Sequence, residues 1–392
     1  MFKLTKFPKV QTIFDGQNES TIKMEWTKQE LERYSRHLRL EQVGEQGQAR
    51  LKAAKVLVIG AGGLGCPILQ YLAAAGVGTL GIVDGDVVDL SNLQRQILYT
   101  THDIGIPKVE AAKRRLEAIN PLLTIEIYPY ELTKDNALEL LAQYDIVVDG
   151  SDNFATRYLV NDAAVITEKP LVYGSIFKFE GQVAVFNYQN GPSYRCLFPT
   201  PPPAGQVPSC SEIGVLGVLP GIIGNMQANE VLKIILGIGN VLSGKLMVFN
   251  TLDCQNMVLD IAPNRAVIAA TKAKKSTFQA QDYAAFCGLP TATVKELSAE
   301  ALAQNLSNYV IVDVRELWEQ PRPEALEGID IPLPRLLMQA AKIPADRPVA
   351  IICAKGIRSK IAVEQLQEKL GYTNLYNLTG GVKAWEREVE AG

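Results

Sequence analysis

Short apolar runs of strand length alternate with helical periodicity along most of this chain. KVLVIG (55–60), TLGIVDGD (79–86), TIEIYPY (124–130), YDIVVDGSD (144–152) and KPLVYGSIF (169–177) read as strands, several of them apolar on both faces. Between them, CPILQYLAAAG and the basic KVEAAKRRLEAIN predict helices, the second stopped by Pro121. Strand and helix alternating in this way predict a doubly wound parallel sheet. Helical spacing also runs over Lys28–Leu51, in LERYSRHLRL, and over Leu219–Leu236. KLMVFNTLDCQNMVLDI (245–261) predicts an antiparallel extension of the sheet. The last hundred or so residues restart the pattern with VIVDVRE, PVAIICAKGIRS and NLYNLTGGVKAW, which predicts a second, smaller α/β domain.

The stretches between these patterns set the domain organisation. The first 25 residues are polar and irregular and read as an N-terminal extension. PTPPPAGQVPSC (199–210) is a proline-rich loop, expected to cross over the active site. Residues 263–290 are rich in alanine and lysine and are expected to be a linker. That leaves one domain over 26–262 and another over 291–392. The opening residues lack the apolar core of a secretory signal. The longest uncharged stretch, Ile213–Asn229, contains Pro220 and several glycines and falls short of a spanning helix.

Composition narrows the function. With 47% apolar and 21% charged residues the chain is of the soluble globular type. A net charge of -3 gives no reason to expect nucleic acid or an anionic membrane as partner. A cytoplasmic enzyme is the expectation. Six cysteines are scattered with no C-x-x-C pair, against a disulfide scaffold or a four-cysteine zinc site. Only His37 and His102 are available as imidazole bases, so the chemistry must run on other groups.

Gly60-Ala-Gly62-Gly63-Leu-Gly65 follows a strand and opens a helix. There, glycines let the backbone approach a phosphate and the helix N-terminus supplies amide donors. Asp84, about twenty residues further on at a strand end, is placed for ribose hydroxyls. Alone, this fingerprint most often serves NAD or FAD. Ser91-Asn92-Leu93-Gln94-Arg95-Gln96 and Lys108 shift the reading, because a triphosphate needs fixed cations around its reacting phosphate. Asp152 and Asn153, after the strand DIVVDG, would suit a magnesium ion at the rim of the same sheet. ATP with Mg2+ is therefore favoured over NAD.

RYSRHLRL, GAGGLGCPILQYLAAAGVG, SNLQRQ, the lysine of IPKVEAA and GSDN occur in the order that resembles the MoeB/ThiF branch of ubiquitin-activating-like enzymes. The resemblance spans about residues 30–250. It implies activation of the C-terminal glycine of a small β-grasp sulfur carrier as an acyl-adenylate. It also implies that Gly63, Asp84, Ser91 to Arg95, Lys108, Asp152 and Asn153 contact ATP and magnesium. By the same resemblance Arg36 reaches into a partner subunit's site, making a homodimer, and Cys210 on the proline-rich loop bonds covalently to the carrier. Members usually carry two C-x-x-C pairs for structural zinc. Here Ser193 replaces the cysteine paired with Cys196, and the second pair is missing, so no zinc is expected.

In the last domain, Cys353-Ala354-Lys355-Gly356-Ile357-Arg358 follows an apolar strand and precedes a helix. Such a loop turns its amides inward as an anion nest, favouring a thiolate or persulfide beside Lys355 and Arg358. Phosphatases use the same geometry. IVDVRELWE, the C-x-x-G-x-R loop and NLTGGVKAW together resemble the rhodanese family, over about residues 293–388. The resemblance makes Cys353 the persulfide carrier and leaves Asp313 and Arg315 a fold-stabilising pair. The expected fold class is thus a Rossmann-like doubly wound sheet with an antiparallel extension, plus an α/β rhodanese domain. The combination resembles MoeZ-type proteins serving molybdopterin synthesis, with relatives in thiamine or tRNA thiolation. The sulfur donor would be a cysteine desulfurase or thiosulfate. An NAD-dependent oxidoreductase, a silent carrier-docking module and a conjugating activator of protein modifiers are the competing classes.

Overall fold

The computed structural model describes residues 25–202, 214–287 and 294–390. The chain divides into two compact units, Met1–Gly288 and Leu289–Gly392. The first opens with α1 (Lys28–Arg33), α2 (Ser35–Leu38) and α3 (Gly44–Ala53), then alternates β1 (Lys55–Ile59), α4 (Gly65–Ala75), β2 (Thr79–Val83), α5 (Lys108–Ile119) and β3 (Thr124–Tyr128). It continues through α6 (Ala137–Ala142), β4 (Ile146–Asp149), α7 (Phe154–Ile166), β5 (Leu171–Phe177), β6 (Glu180–Phe186) and α8 (Tyr194–Leu197). Beyond the undescribed residues come α9 (Val218–Leu236), β7 (Lys245–Asn250), β8 (Gln255–Asp260), α10 (Arg265–Ala273) and α11 (Tyr283–Phe286).

The sheet runs in the order β3-β2-β1-β4-β5-β6-β7-β8. Pairing is parallel from β3 to β5 and antiparallel from β5 to β8. Strand alternation sorts side chains between two layers: Val56 and Val58 of β1 join one apolar cluster, Leu57 and Ile59 the other. Helix α4 buries Cys66, Ile68, Leu69, Leu72 and Ala73 in the first cluster. Each such leucine or isoleucine contributes about 1.5–3 kcal/mol on burial. Doubly covered strands need apolar residues at every position, which is why the runs were legible.

Two expectations are corrected. The single helix over Lys28–Leu51 is instead α1, α2 and α3. Tyr34, between α1 and α2, is buried with its hydroxyl accepting a bond from Asn120 Nδ2 at 2.9 Å, and Gly44 takes φ +54° where the chain enters α3. The linker over 263–290 is instead packed structure for most of its length. Thr271, Phe278, Tyr283 and Cys287 are buried, the last three within the second cluster. Asp162 anchors this segment: Arg195 grips it at 2.6 and 2.8 Å, and the Tyr283 hydroxyl donates to it at 3.0 Å. The Arg195 guanidinium also lies 4.7 Å from the ring centroids of both Tyr158 and Phe286. Removing one partner leaves a buried charge uncompensated. Arg195→Ala is therefore expected to lower the stability of the first unit by about 3–5 kcal/mol. Chemical denaturation checks this, and an unmoved midpoint would contradict the anchoring role.

The second unit contains β9 (Lys295–Leu297), α12 (Ala299–Gln304), β10 (Val310–Asp313), β11 (Ile329–Asp330), α13 (Leu336–Gln339), β12 (Val349–Ile352), α14 (Ile357–Leu370), β13 (Leu375–Leu378) and α15 (Gly381–Trp385). Its sheet is parallel, in the order β11-β10-β12-β13-β9. Apolar clusters again cover both faces.

Candidate active sites

In the first unit the sheet order reverses between β1 and β4, so the carboxyl ends of the strands open a crevice there. It holds a cleft of about 500 Å³. Gly60, Gly62, Gly63, Asp84, Arg95, Lys108, Asp152 and Asn153 line it, eight residues singled out in the sequence. Gly60 has φ +89°, and a Cβ there would meet the Gly150 carbonyl at 2.9 Å. Gly65 does not line the cleft. A Cβ on it would sit 2.0 Å from the Gly60 carbonyl oxygen, so its lack of a side chain lets α4 approach β1.

Asp84 braces the glycine turn. Its carboxylate accepts from the amides of Ala61 at 2.8 Å and Asp86 at 2.9 Å. Burial pushes its pKa above the usual carboxylate value, while the Lys108 ammonium and those two amides pull the other way. Lys108, itself buried, donates to Asp86 at 2.7 Å and lies 3.8 Å from Asp84. It opens α5, so the lysine stands between two acids at the mouth of the crevice.

Ser91, Asn92, Leu93 and Gln94 are not lining residues either; they build the turn that presents Arg95. The Ser91 carbonyl accepts from Arg95 Nη1 at 3.0 Å, and the Asn92 side chain accepts from the Asp89 amide at 3.2 Å. Leu93 packs on the core, and the Gln94 carbonyl abuts Gly217 just before α9. Arg36 is exposed on α2, away from this cleft.

The second candidate site lies at the carboxyl ends of β10, β12 and β13. Cys353 follows β12 directly and is 1% exposed. Its loop is held from behind by the turn after β13: the amide of Val382 donates to the Cys353 carbonyl at 2.9 Å and that of Lys383 to Ala354 at 3.2 Å. That approach requires Gly381, where a Cβ would sit 2.2 Å from the Cys353 oxygen. Gly356, with φ +83°, turns the loop into α14. Arg358 is bidentate to Glu319 at 2.7 and 2.6 Å, which holds the guanidinium firmly charged and ties the segment after β10 to the cysteine loop. Asp313 and Arg315 form a buried pair at 2.7 Å, as the structural reading expected.

Residues 34–267 match the ThiF family and residues 298–388 match a rhodanese-like domain. The chain belongs to the ThiF family. A sulfur carrier protein adenylyltransferase of Thermus thermophilus is 55% identical over 272 residues, 68% of this chain and 100% of that protein. The probable adenylyltransferase/sulfurtransferase MoeZ of Mycobacterium tuberculosis is 41% identical, covering 93% of this chain and 95% of its own length. The adenylyltransferase and sulfurtransferase MOCS3 of Xenopus laevis is 40% identical, covering 93% and 88%. In fold, the chain is similar to E. coli MccB in complex with MccA-N7isoASN, with a TM-score of 0.53 and 21% identity over 60% of this chain and 72% of that one. PaaA gives a TM-score of 0.51 and 25% identity over 62% and 77%.

Two further residues of the ThiF cleft, Asp86 and Arg157, were not singled out in the sequence, and Gln96 was named there only as the end of its motif. Asp86 holds Lys108, as above. Gln96 is 4% exposed, and its Oε1 has no partner among the described residues. Arg157 is buried and donates to the Ser151 carbonyl at 3.3 Å, while its Nε has no partner among the described residues. Burial works against its charge, but Tyr173, Asp149 and Asp152 keep it protonated. The usable signal was spacing. Asn153 caps α7, and Arg157 lies four residues on, over the same turn. Cys210 lies outside the described residues. Cys196 accepts from the amides of Ser193 and Asn264, both at 3.3 Å, so hydrogen bonds engage the one thiol left at that position.

Proposed function

We propose that this chain uses ATP to adenylate the C-terminal glycine of a small β-grasp sulfur-carrier protein, then supplies persulfide sulfur from Cys353 to leave a thiocarboxylate on the carrier. The observation that carries the reading is the convergence of Arg95, Lys108 and Arg157 on a glycine-lined cleft at a helix N-terminus. A dinucleotide needs no such set, whereas a triphosphate does. The orphaned Gln96 Oε1 and Arg157 Nε in the cleft wall fit a polar occupant. Arg95, Lys108, Arg157, Gly60, Gly62, Gly63, Asp84 and Asn153 are the proposed nucleotide contacts.

Magnesium would come with the nucleotide. Among the described residues no group of three or more His, Cys, Asp or Glu could hold a metal. Exposed Asp152 would therefore give one ligand and the phosphates others, the usual manner for this ion. A bound Mg2+ would neutralise phosphate charge. The carrier's carboxylate is already ionised, so attack on the α-phosphorus needs no general base. The new bond is carboxylate oxygen to phosphorus, and pyrophosphate leaves with the old bonding pair. The terminal sulfur of a Cys353 persulfide then attacks the acyl carbon and AMP leaves. A thiol then attacks Cys353 Sγ in the resulting acyl disulfide: the S–S bond breaks, the thiocarboxylate leaves, and Cys353 is left in a disulfide with that thiol. Cys210 is the proposed residue for a covalent bond to the carrier.

The exposed position of Arg36 supports its delivery to a second subunit, hence a homodimer. Molybdopterin synthesis is the proposed pathway, with thiamine or tRNA thiolation as alternatives, on the resemblance to MoeZ-type proteins, and a cysteine desulfurase or thiosulfate is the proposed donor. No described helix is long and apolar enough to cross a membrane; the cytoplasm is the proposed compartment. The test is incubation with ATP, Mg2+ and candidate carriers, followed by intact-mass measurement. A gain of one adenylate, then of one sulfur once a persulfide donor is added, is expected. A carrier whose mass never changes would sink the reading.

A further inference from the structure

Tyr99 is a buried phenol that no part of the chemistry above uses. It is 5% exposed, and its hydroxyl donates to the Ala61 carbonyl at 2.7 Å, inside the glycine turn and 38 residues back along the chain. Cys66 Sγ, a much weaker donor, lies 3.5 Å from the same oxygen. On its other side Ala61 gives its amide to Asp84. Ala61 is therefore gripped at both its polar groups, and none of Ala61, Cys66 and Tyr99 lines the cleft. Burial pushes the phenol's pKa up, so the O–H is present throughout the neutral range.

That hydroxyl fixes more than one carbonyl. Ala61 and Gly62 share a planar trans peptide, whose N–H points opposite to its C=O. With the Ala61 oxygen turned into the core toward Tyr99, the Gly62 amide is turned the other way, and Gly62 is a cleft-lining residue. Among the described residues none accepts from that amide. The Gly62 carbonyl is engaged separately, by the Cys66 amide at 2.9 Å. A peptide followed by two glycines meets little steric resistance to flipping, so its orientation depends on what grips the Ala61 oxygen. Tyr99 also belongs to the segment that carries Arg95, its own amide donating to the Gln96 carbonyl at 3.2 Å. One hydroxyl thus ties the cation-bearing segment to the glycine turn.

We infer that Tyr99 is a positioning residue: its hydroxyl holds the Ala61–Gly62 peptide with the N–H facing the cleft, as a preset donor to a nucleotide phosphate. The inference rests on the cleft taking ATP and deepens that reading. Without the hydroxyl the turn still folds, because Asp84 keeps the Ala61 amide and the phenyl ring keeps its place in the first apolar cluster. The preset orientation is what is lost, and a phosphate then has to select a peptide orientation that is only partly populated. Adenosine has no phosphate and gains nothing from that amide. A general loosening of the cleft would weaken both ligands alike, whereas a misoriented amide weakens only the one that carries phosphate.

The test is equilibrium dialysis of the full chain against labelled ATP with Mg2+ and, separately, against labelled adenosine. Tyr99→Phe removes the hydroxyl alone and keeps the ring. It is expected to weaken ATP about tenfold while adenosine stays within about twofold of wild type. Equal losses for the two ligands would reduce Tyr99 to a support of the fold and overturn the inference. So would an ATP affinity that the variant leaves unchanged. The wild-type measurements decide the underlying reading by themselves. If the wild type binds no ATP, or binds it no better than adenosine, the nucleotide assignment fails and the role of Tyr99 falls with it.

Discussion

Cys353→Ala is expected to abolish sulfur gain by the carrier while leaving ATP–pyrophosphate exchange at the wild-type rate. Position decides this: Cys353 directly follows a fully buried strand and sits in a loop whose shape is set by Gly356 and Gly381. A loop fixed from behind by two backbone bonds needs no help from the thiol to keep its form. Alanine is smaller than cysteine and is accepted in apolar surroundings, so the second unit should still fold. Cys353 belongs to the unit Leu289–Gly392, and the described residues that line the nucleotide cleft all belong to the unit before it. Adenylation should therefore proceed. The check is paired: pyrophosphate exchange for the first activity, intact mass of the carrier for the second. Loss of both, or retention of sulfur gain, would contradict the division of labour.

Lys108→Ala is expected to slow ATP–pyrophosphate exchange about 10²–10³-fold, the usual cost of losing one preorganised charge donor at a reacting group. Among the cleft's cations Lys108 is the one held between two carboxylates, Asp84 and Asp86, and only Asp86 is largely exposed. That arrangement pairs a buried ammonium with carboxylates until phosphate competes for it. Its loss also leaves Asp84 facing Asp86 without a countercharge. Some weakening of the glycine turn is expected beside the catalytic effect, so a melting curve has to accompany the kinetics. Uptake of persulfide sulfur by Cys353 should be unchanged. An exchange rate within a few-fold of wild type in a folded variant would remove Lys108 from the proposed chemistry.

Much of this architecture was legible because β1, β2, β4, β10 and β12 are buried on both faces over nearly their whole length, which leaves few positions free for a polar residue. The glycine turn was legible for a related reason: Gly60 and Gly65 stand where any Cβ would strike backbone. The stretch over 263–290 was misread because its apolar residues are few and widely spaced. Phe278, Tyr283 and Cys287 do not form a run, and what holds them is a buried ion pair contributed by Asp162 and Arg195, far away in sequence. Ser91 to Gln94 were read as ligands; in the structure they form the turn that carries Arg95, and spacing alone does not separate a turn-builder from a contact.

The sequence by itself determined the two α/β units, the glycine turn and the cysteine loop, because each rests on local rules: strand periodicity, glycine at crowded backbone, cysteine before a helix N-terminus. Tertiary structure decided which side chains meet. Arg157 reaches the cleft because α7 starts at the rim that β4 provides. Tyr99 meets the Ala61 carbonyl because β1 and β2 pair in parallel and end at the same rim. Contacts between residues distant along the chain depend on strand order and register, which are settled only when the whole sheet packs.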